Sequence, residues 1–109
     1  MSEQLCVSVI VPFYNAELHI KKCLDVLLNR DFNKPFEIIM VDDFSTDNSK
    51  KILKDYGNER ISLYSLKQNS GPAAARNLGL KMAKGKYIFF HDVDDTVDPN
   101  ILTILYNKA

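Results

Sequence analysis

The chain has 109 residues, of which 46% are hydrophobic and 26% charged, and its 14 basic residues balance its 14 acidic ones. This length suits a single domain (1–109) with one core and is too short for two. Zero net charge argues against a nucleic-acid or anionic-membrane surface, and no apolar run approaches the roughly 20 residues that span a bilayer.

Four apolar segments, each followed by a polar loop and a helical pattern, predict strands that alternate with helices. The predicted strands are VSVIV (7–11), FEIIMV (36–41), ISLYSL (61–66) and KYIFF (86–90). The predicted helices lie in LHIKKCLDVLL, KKILKDY, AAARNLGLKMAK and ILTILYNKA. The predicted boundary residues are Ser45, Thr46 or Asp47 as the cap of the second helix, Pro72 and Gly85 as the start and stop of the third, and Asp98 before Pro99 at the fourth.

The β-α alternation predicts an α/β fold, in which a Rossmann-like parallel sheet has helices on both faces. Right-handed crossovers leave few topologies, of which the commonest half-unit orders its strands 3-2-1-4. Ligands of such sheets bind beyond the carboxyl ends of the strands, where the strand order switches. We therefore expect the functional residues in the loops that follow strands 1, 2 and 4.

The cysteines and the amino terminus indicate the compartment. Cys6 and Cys23 lie among apolar residues, which predicts buried, reduced thiols, since two cysteines make no disulfide framework. The start MSEQ lacks the basic and apolar regions of a signal peptide. We expect a cytoplasmic protein.

An acidic loop follows the fourth strand, in YIFFHDVDDTVDP. Its carboxylates are Asp92, Asp94, Asp95 and Asp98. They either form a solvated loop or hold a hard cation, Mg²⁺ or Mn²⁺, because such ions combine a few carboxylate oxygens with waters and substrate phosphates. Asp98 is best explained as a helix cap.

A second acidic pair, Asp42 and Asp43, follows the second strand. The pair either opens the turn or presents a carboxylate to a ligand, such as the ring nitrogen of uracil or guanine. In the 3-2-1-4 order, strands 2 and 4 lie roughly 10 Å apart at about 4.8 Å per spacing. That distance suits a nucleoside, with its base over strand 2, a metal-bound diphosphate near strand 4 and Tyr14 between them.

The other candidate site residues each allow a structural and a functional interpretation. Arg76 is either solvated or directed at the ligand, Tyr14 either packs or stacks on a base, and packing is favoured for His91. Gly71-Pro72 either punctuates a loop or opens a helix that attracts phosphate. Neither GxxxxGK[ST] nor GxGxxG is present.

Together these segments resemble the inverting family 2 glycosyltransferases of GT-A fold. The resemblance rests on VSVIVPFYNAE, EIIMVDDFSTDNS and NSGPAAARNLGLKMAKGKYIFFHDVDD, which occur in the family's order and spacing. It implies transfer of a sugar from a nucleotide-diphospho-sugar, by default a UDP-sugar with GDP and dTDP open, to an acceptor hydroxyl with inversion. The acceptor would be a saccharide or a lipid-linked molecule, and no nucleic acid is implied.

The resemblance also implies site residues. Pro12, Tyr14 and Glu17 would line the nucleotide pocket, Asp43 would bind the base beside Asp42, and Arg76 would lie near the base or phosphates. In Asp92-Val93-Asp94, the first acid would face the ribose and the second would coordinate Mn²⁺ or Mg²⁺. Phe13 and Phe44 depart from the family pattern and would narrow the base side.

The family's catalytic base belongs to an acceptor-binding half that would follow this sequence. We therefore expect a donor-binding piece of a longer protein, with membrane association only through other regions. The alternative is a non-catalytic nucleotide-binding domain of the same fold. A receiver domain would need an aspartate after strand 3, and a nucleotidyltransferase usually has a glycine-rich basic loop after strand 1; neither occurs.

Overall fold

One four-stranded parallel sheet organises the protein, whose computed structural model describes residues 4–28, 32–95 and 101–108. The strands have the order β3-β2-β1-β4, and every adjacent pair is parallel. The elements are β1 (Val7–Phe13), α1 (Ile20–Leu27), β2 (Phe36–Asp42), α2 (Ser49–Tyr56), β3 (Ile61–Ser65), α3 (Pro72–Met82), β4 (Tyr87–Phe90) and α4 (Ile101–Lys108). The predicted fold class and strand order are confirmed.

The central strands β1 and β2 are buried on both faces because each carries a continuous apolar run. On one face, Val9 and Ile38 belong to a core that includes residues of α1, α2 and α4. On the other face, Ile10 and Ile39 pack with Ala75 of α3. Alternate residues of one strand thus serve two cores, which explains why the strands show no polar alternation.

Strand β1 is longer than the sequence predicted, since it continues through Pro12 to Phe13. Proline lacks the N–H that a ladder requires, so it is normally excluded from central strands. Here β4 pairs with β1 only as far as Ile10, whereas β2 pairs along the full length to Phe13. Pro12 therefore lies in a part of β1 that pairs with β2 alone. Because β1 extends to Phe13, the loop that follows it begins further beyond the carboxyl end of β4.

Helix α3 lies unusually close to the sheet at Gly79, where a Cβ atom would overlap the side chain of Ile10. The helix begins at Pro72 as predicted, but it ends at Met82, so the prediction that Gly85 stops it is wrong. Ala83 already has an extended backbone, with ψ 138°. Gly85 instead approaches β1, where an added Cβ would lie 2.5 Å from the backbone nitrogen of Ser8.

The start of α2 also differs from the prediction. Asn48 occupies the N-cap position without a side-chain cap, and Ser49 is the first helical residue. Asp47 still bonds to the helix start, because its Oδ1 accepts the N–H of Ser49 at 3.0 Å. The predicted cap of the last helix, Asp98 before Pro99, lies outside the described residues.

Both cysteines are free, and they differ in exposure. Cys23 is buried, whereas Cys6 is half-buried, so the prediction of two buried thiols is right for Cys23 alone. Burial, together with the charge of Asp95, raises the pKa of Cys23 to about 12. No helix within the described ranges is long and apolar enough to cross a membrane.

Candidate functional site

A cleft of about 410 Å³ opens at the carboxyl edge of the sheet, where the loops after β1, β2 and β4 meet α3. Its volume falls within the range of small-molecule sites. The predicted residues that line it are Pro12, Tyr14, Asp43, Arg76, Asp92, Val93 and Asp94. Residues more than 80 positions apart in the chain thus meet at one site, because parallel strands end at the same edge.

Asp43 connects this cleft to the amino terminus of α3. It is 5% exposed, and its Oδ1 and Oδ2 accept the backbone N–H groups of Ser70 at 2.7 Å and Gly71 at 2.9 Å. Asn69 adds a side-chain hydrogen bond to the Asp43 carbonyl at 3.3 Å. The two backbone N–H groups directly before the helix, where the sequence predicted a possible phosphate site, are therefore already bonded to a protein carboxylate. Each carboxylate oxygen keeps a second lone pair, so Asp43 can also accept a hydrogen bond from a ligand.

Asp42 and Glu17 were predicted beside the nucleotide, but neither is among the residues that line the cleft. Asp42 is 1% exposed, and its Oδ1 accepts the N–H of Ser45 at 2.9 Å. Glu17 Oε2 accepts the N–H of Asn48 at 3.3 Å. Both carboxylates bond to the turn before α2. The backbone donors of that turn need acceptors, and these two acids supply two of them.

The loop after β1 is bonded to the loop after β2 chiefly through Asn15. Asn15 Oδ1 accepts the N–H of Thr46 at 2.8 Å, and the Asn15 N–H donates to Ser45 Oγ at 2.9 Å. The next residue continues the pattern, since the Ala16 N–H donates to Ser49 Oγ at 2.9 Å. Tyr14, which is 48% exposed, is therefore carried on a loop with a fixed relation to β2.

Asp47 strengthens this connection as an ionised acceptor. The Glu17 N–H donates to Asp47 Oδ2 at 3.2 Å, while Oδ1 accepts from Ser49. Desolvation alone would raise the pKa of Asp47, but hydrogen bonds from Ser49 and Glu17 outweigh it and lower the pKa. These hydrogen bonds need an ionised Asp47, and the lowered pKa means that the loop stabilises this ionised form.

The acidic turn after β4 presents two carboxylates to the cleft. Asp92 and Asp94 are exposed, and between them the half-buried Val93 packs against the core. The Asp95 N–H closes the turn on the Asp92 carbonyl at 3.1 Å. No group of three or more histidine, cysteine or acidic side chains within the described residues could enclose a metal ion. Two open carboxylates fit instead an ion that completes its shell with phosphate oxygens and water.

His91 lies beneath this turn and is buried, with 8% of its surface exposed. Its backbone N–H continues the sheet by donating to the Ile10 carbonyl at 3.0 Å, while its Nε2 has no hydrogen-bond partner among the described residues. Burial lowers the pKa of His91, against the opposing charges of Asp95 and Asp92. The imidazole is therefore a neutral packing group at neutral pH, as the sequence favoured.

Several lining residues were not predicted from the sequence. These are Asn15, Ala16, His19 and Ala75. Two further residues line the cleft: Phe13, which was predicted only as a narrowing side chain, and Pro72, which was predicted only at the start of a helix that could attract phosphate. His19 had the clearest signal, because it lies a few residues after Tyr14 at the start of α1. Ala75 of α3 had no such signal, because an alanine in a helix is usually interpreted as a core residue.

Known proteins are similar to this chain in both sequence and fold. The model of the family "Glycosyl transferase family 2" matches residues 8–109. Glycosyltransferase GlyA of Streptococcus pneumoniae is 41% identical over 104 residues, which cover 94% of this chain and 15% of GlyA. The chain therefore spans a small part of the length of this relative.

Two solved structures show the same architecture. Residues 1–349 of Staphylococcus aureus TarS in complex with UDP superpose with a TM-score of 0.87 at 39% identity, covering 94% of this chain and 31% of that one. The mannosyltransferase PcManGT of Pyrobaculum calidifontis, in complex with GDP-Man and Mn²⁺, has a TM-score of 0.80 at 26% identity over 93% of this chain and 31% of that one.

Proposed function

This chain belongs to glycosyltransferase family 2, and on that premise we propose that its cleft binds the nucleoside diphosphate of a sugar donor. The observation that carries the proposal is the placement of Asp43 and the Asp92–Asp94 turn on one cleft, at the ends of β2 and β4. Strand β1 lies between them and carries Tyr14. The cleft thus offers an acceptor for a base at one end and carboxylates for a metal-bound diphosphate at the other.

The base end is formed by Asp43 and Arg76. An ionised carboxylate has only acceptor capacity, so Asp43 can accept a hydrogen bond from a ring N–H of the base, such as that of uracil, thymine or guanine. UDP is our default nucleotide, supported by the solved complex of TarS with UDP. The complex of PcManGT with GDP-Man keeps GDP as the alternative.

Asp94, with Asp92 beside it, would hold Mn²⁺ or Mg²⁺ at the diphosphate end. The ion, when bound, supplies Lewis-acid neutralisation of the charge on the leaving nucleoside diphosphate. The chain's own part is to hold two oxygen ligands in the closed turn that Asp95 and Val93 fix. The Mn²⁺ in the PcManGT complex supports this assignment for a protein of the same fold.

Sugar transfer itself is a proposal for the whole protein, because the chain spans 15% of GlyA. We propose direct attack of an acceptor hydroxyl, on a saccharide or a lipid-linked molecule, at the anomeric carbon with inversion. The general base would come from outside this sequence. A cytoplasmic location stays part of the proposal, supported by the two free cysteines.

Calorimetric titration tests the donor site. The chain is titrated with UDP, GDP and dTDP, each with Mn²⁺ and then with EDTA, and Asp94→Ala is compared with Asp55→Ala, which changes an exposed carboxylate on α2. We expect one nucleotide to bind in a metal-dependent manner, and Asp94→Ala alone to lose that binding. Failure of all three nucleotides to bind would contradict the proposal and favour a fold without this function.

A further inference from the structure

His19, just before the first helical residue of α1, lies at the Asp94 end of the cleft. It lines the cleft together with Asp92 and Asp94. It also lines an adjoining depression of about 190 Å³ between α1 and the acidic turn. The two cavities share His19, Val93 and Asp94, whereas Asp43 lines the cleft alone. His19 is therefore on the side of the cleft where the diphosphate of the donor is proposed to bind.

The backbone of His19 is fixed, but its ring has no partner in the fold. Its N–H donates to the Ala16 carbonyl at 2.9 Å, and its carbonyl accepts the N–H of Cys23 at 3.0 Å. The side chain is exposed, makes no cap bond to α1 and has no hydrogen-bond partner within the described ranges. An imidazole has an N–H donor whether it is neutral or protonated. The fold thus leaves a positioned donor available to a ligand.

The charge of the diphosphate end requires such a donor. Asp92 and Asp94 together balance the charge of a divalent ion, so a bound nucleoside diphosphate keeps its own charge, about three negative charges near pH 7. The basic side chains that line the cleft, in the part of the chain that the structure describes, are Arg76 and His19. Arg76 belongs to α3, whose start bonds to Asp43 at the base end. His19 is left to serve the opposite end.

We propose that the His19 imidazole donates a hydrogen bond to a phosphate oxygen of the donor's diphosphate. The inference rests on the proposed function, because it takes the diphosphate to lie beside Asp94. Lys22, three residues further along the chain, borders the adjoining depression and brings a positive charge to the same side. In this arrangement α1 and the acidic turn contact the diphosphate from two sides.

Three variants test this contact. His19→Ala removes the donor, His19→Phe keeps a ring of similar size without an N–H, and Lys21→Ala removes an exposed cation of α1 that lines neither cavity. Affinities for UDP and for uridine are measured by NMR titration with Mg²⁺, and stability is measured by urea unfolding. We expect all three variants to unfold at the parental midpoint, because both replaced side chains are exposed.

His19→Ala and His19→Phe should bind UDP roughly threefold to tenfold more weakly, as expected for one lost hydrogen bond. Lys21→Ala should match the parent, and no variant should change the affinity for uridine, which lacks the diphosphate. The inference is overturned if either His19 variant keeps the parental affinity for UDP, if Lys21→Ala weakens binding as much, or if uridine affinity falls by the same factor. A parent that binds none of UDP, GDP and dTDP would instead refute the proposed function.

Discussion

The carboxylate of Asp43 accepts the backbone N–H of Gly71 at 2.9 Å, which joins the end of β2 to the start of α3. The same carboxylate lines the cleft together with Arg76, one turn into that helix. The Asp43 side chain thus links the start of α3 to the end of β2 and also lines the cleft. The start of α3, Arg76 and the Asp43 carboxylate are therefore structurally connected at one side of the cleft.

Replacing Asp43 should affect both stability and binding. In Asp43→Ala, the N–H groups of Ser70 and Gly71 lose their acceptor, so we expect a loss of about 1–3 kcal/mol in the free energy of unfolding. UDP binding should also be lost. Asp42→Asn is the informative comparison, because the amide oxygen still accepts from Ser45 and the side chain lies away from the cleft. Equal loss of UDP affinity in both variants would contradict the separation of the two acids.

Asn15→Ala should destabilise the paired loops. The change removes the acceptor of the Thr46 N–H and places alanine at φ 48°, and we expect a loss of about 1–3 kcal/mol in urea unfolding. Asn15→Asp keeps the Oδ1 acceptor and the tolerance of positive φ, so it should retain most of the stability. If Asn15→Ala unfolds at the parental midpoint, the hydrogen bonds between the loops contribute nothing to the fold.

Gly79→Ala should destabilise the protein, although helices usually prefer alanine to glycine. Alanine stabilises an exposed helical position by roughly 0.5–1 kcal/mol relative to glycine. At position 79 the new Cβ would overlap Ile10, so we expect destabilisation of about 1–3 kcal/mol from overpacking. Asn77→Ala, at an exposed position of the same helix, serves as the control and should be neutral or stabilising. A stabilised Gly79→Ala variant would mean that α3 lies further from β1.

His91 should make the metal-free protein less stable in mild acid. Burial holds its folded-state pKa below the ordinary value of about 6.5, so the unfolded chain binds the proton more readily. The contribution of neutral His91 to the free energy of unfolding is fully present above the unfolded-state pKa. It is lost as the pH falls through the lower pKa of the folded state. Unfolding free energies in EDTA from about pH 8 to about pH 5 should therefore fall more steeply in the parent than in His91→Leu. Identical slopes would refute the assignment.

The sheet could be predicted because its signals are local and its topology is restricted. Apolar runs such as FEIIMV marked the strands, and handedness left few orders for four alternating units. Helix ends were less predictable. Gly85 looked like a C-terminal glycine, but its absent Cβ serves the approach to Ser8 of β1, a contact between residues far apart in the chain.

The sequence predicted the loops that form the candidate site better than it predicted the individual residues that line it. Asp42 and Asp43 are adjacent in the sequence, and the residues alone do not tell which of them bonds to the turn before α2 and which faces the cleft; only the family resemblance assigned the base to Asp43. The sequence likewise gives no sign that Glu17 bonds to the turn before α2, since the N–H of Asn48 that it accepts lies 31 positions away. Backbone donors decide the orientation of these acids, and they become visible only once the loops are folded.

Mapping nucleotide binding residue by residue tests the proposed donor site directly. The ¹⁵N-labelled chain is titrated with UDP in the presence of Mg²⁺, and shifts of the backbone amides are recorded by NMR. We predict that the largest shifts fall on the loops after β1, β2 and β4 and on the start of α3, the segments that form the cleft. Largest shifts at the opposite edge of the sheet, around Lys34 and Arg60, or no shifts at saturating UDP, would contradict the assignment of this cleft as the donor site.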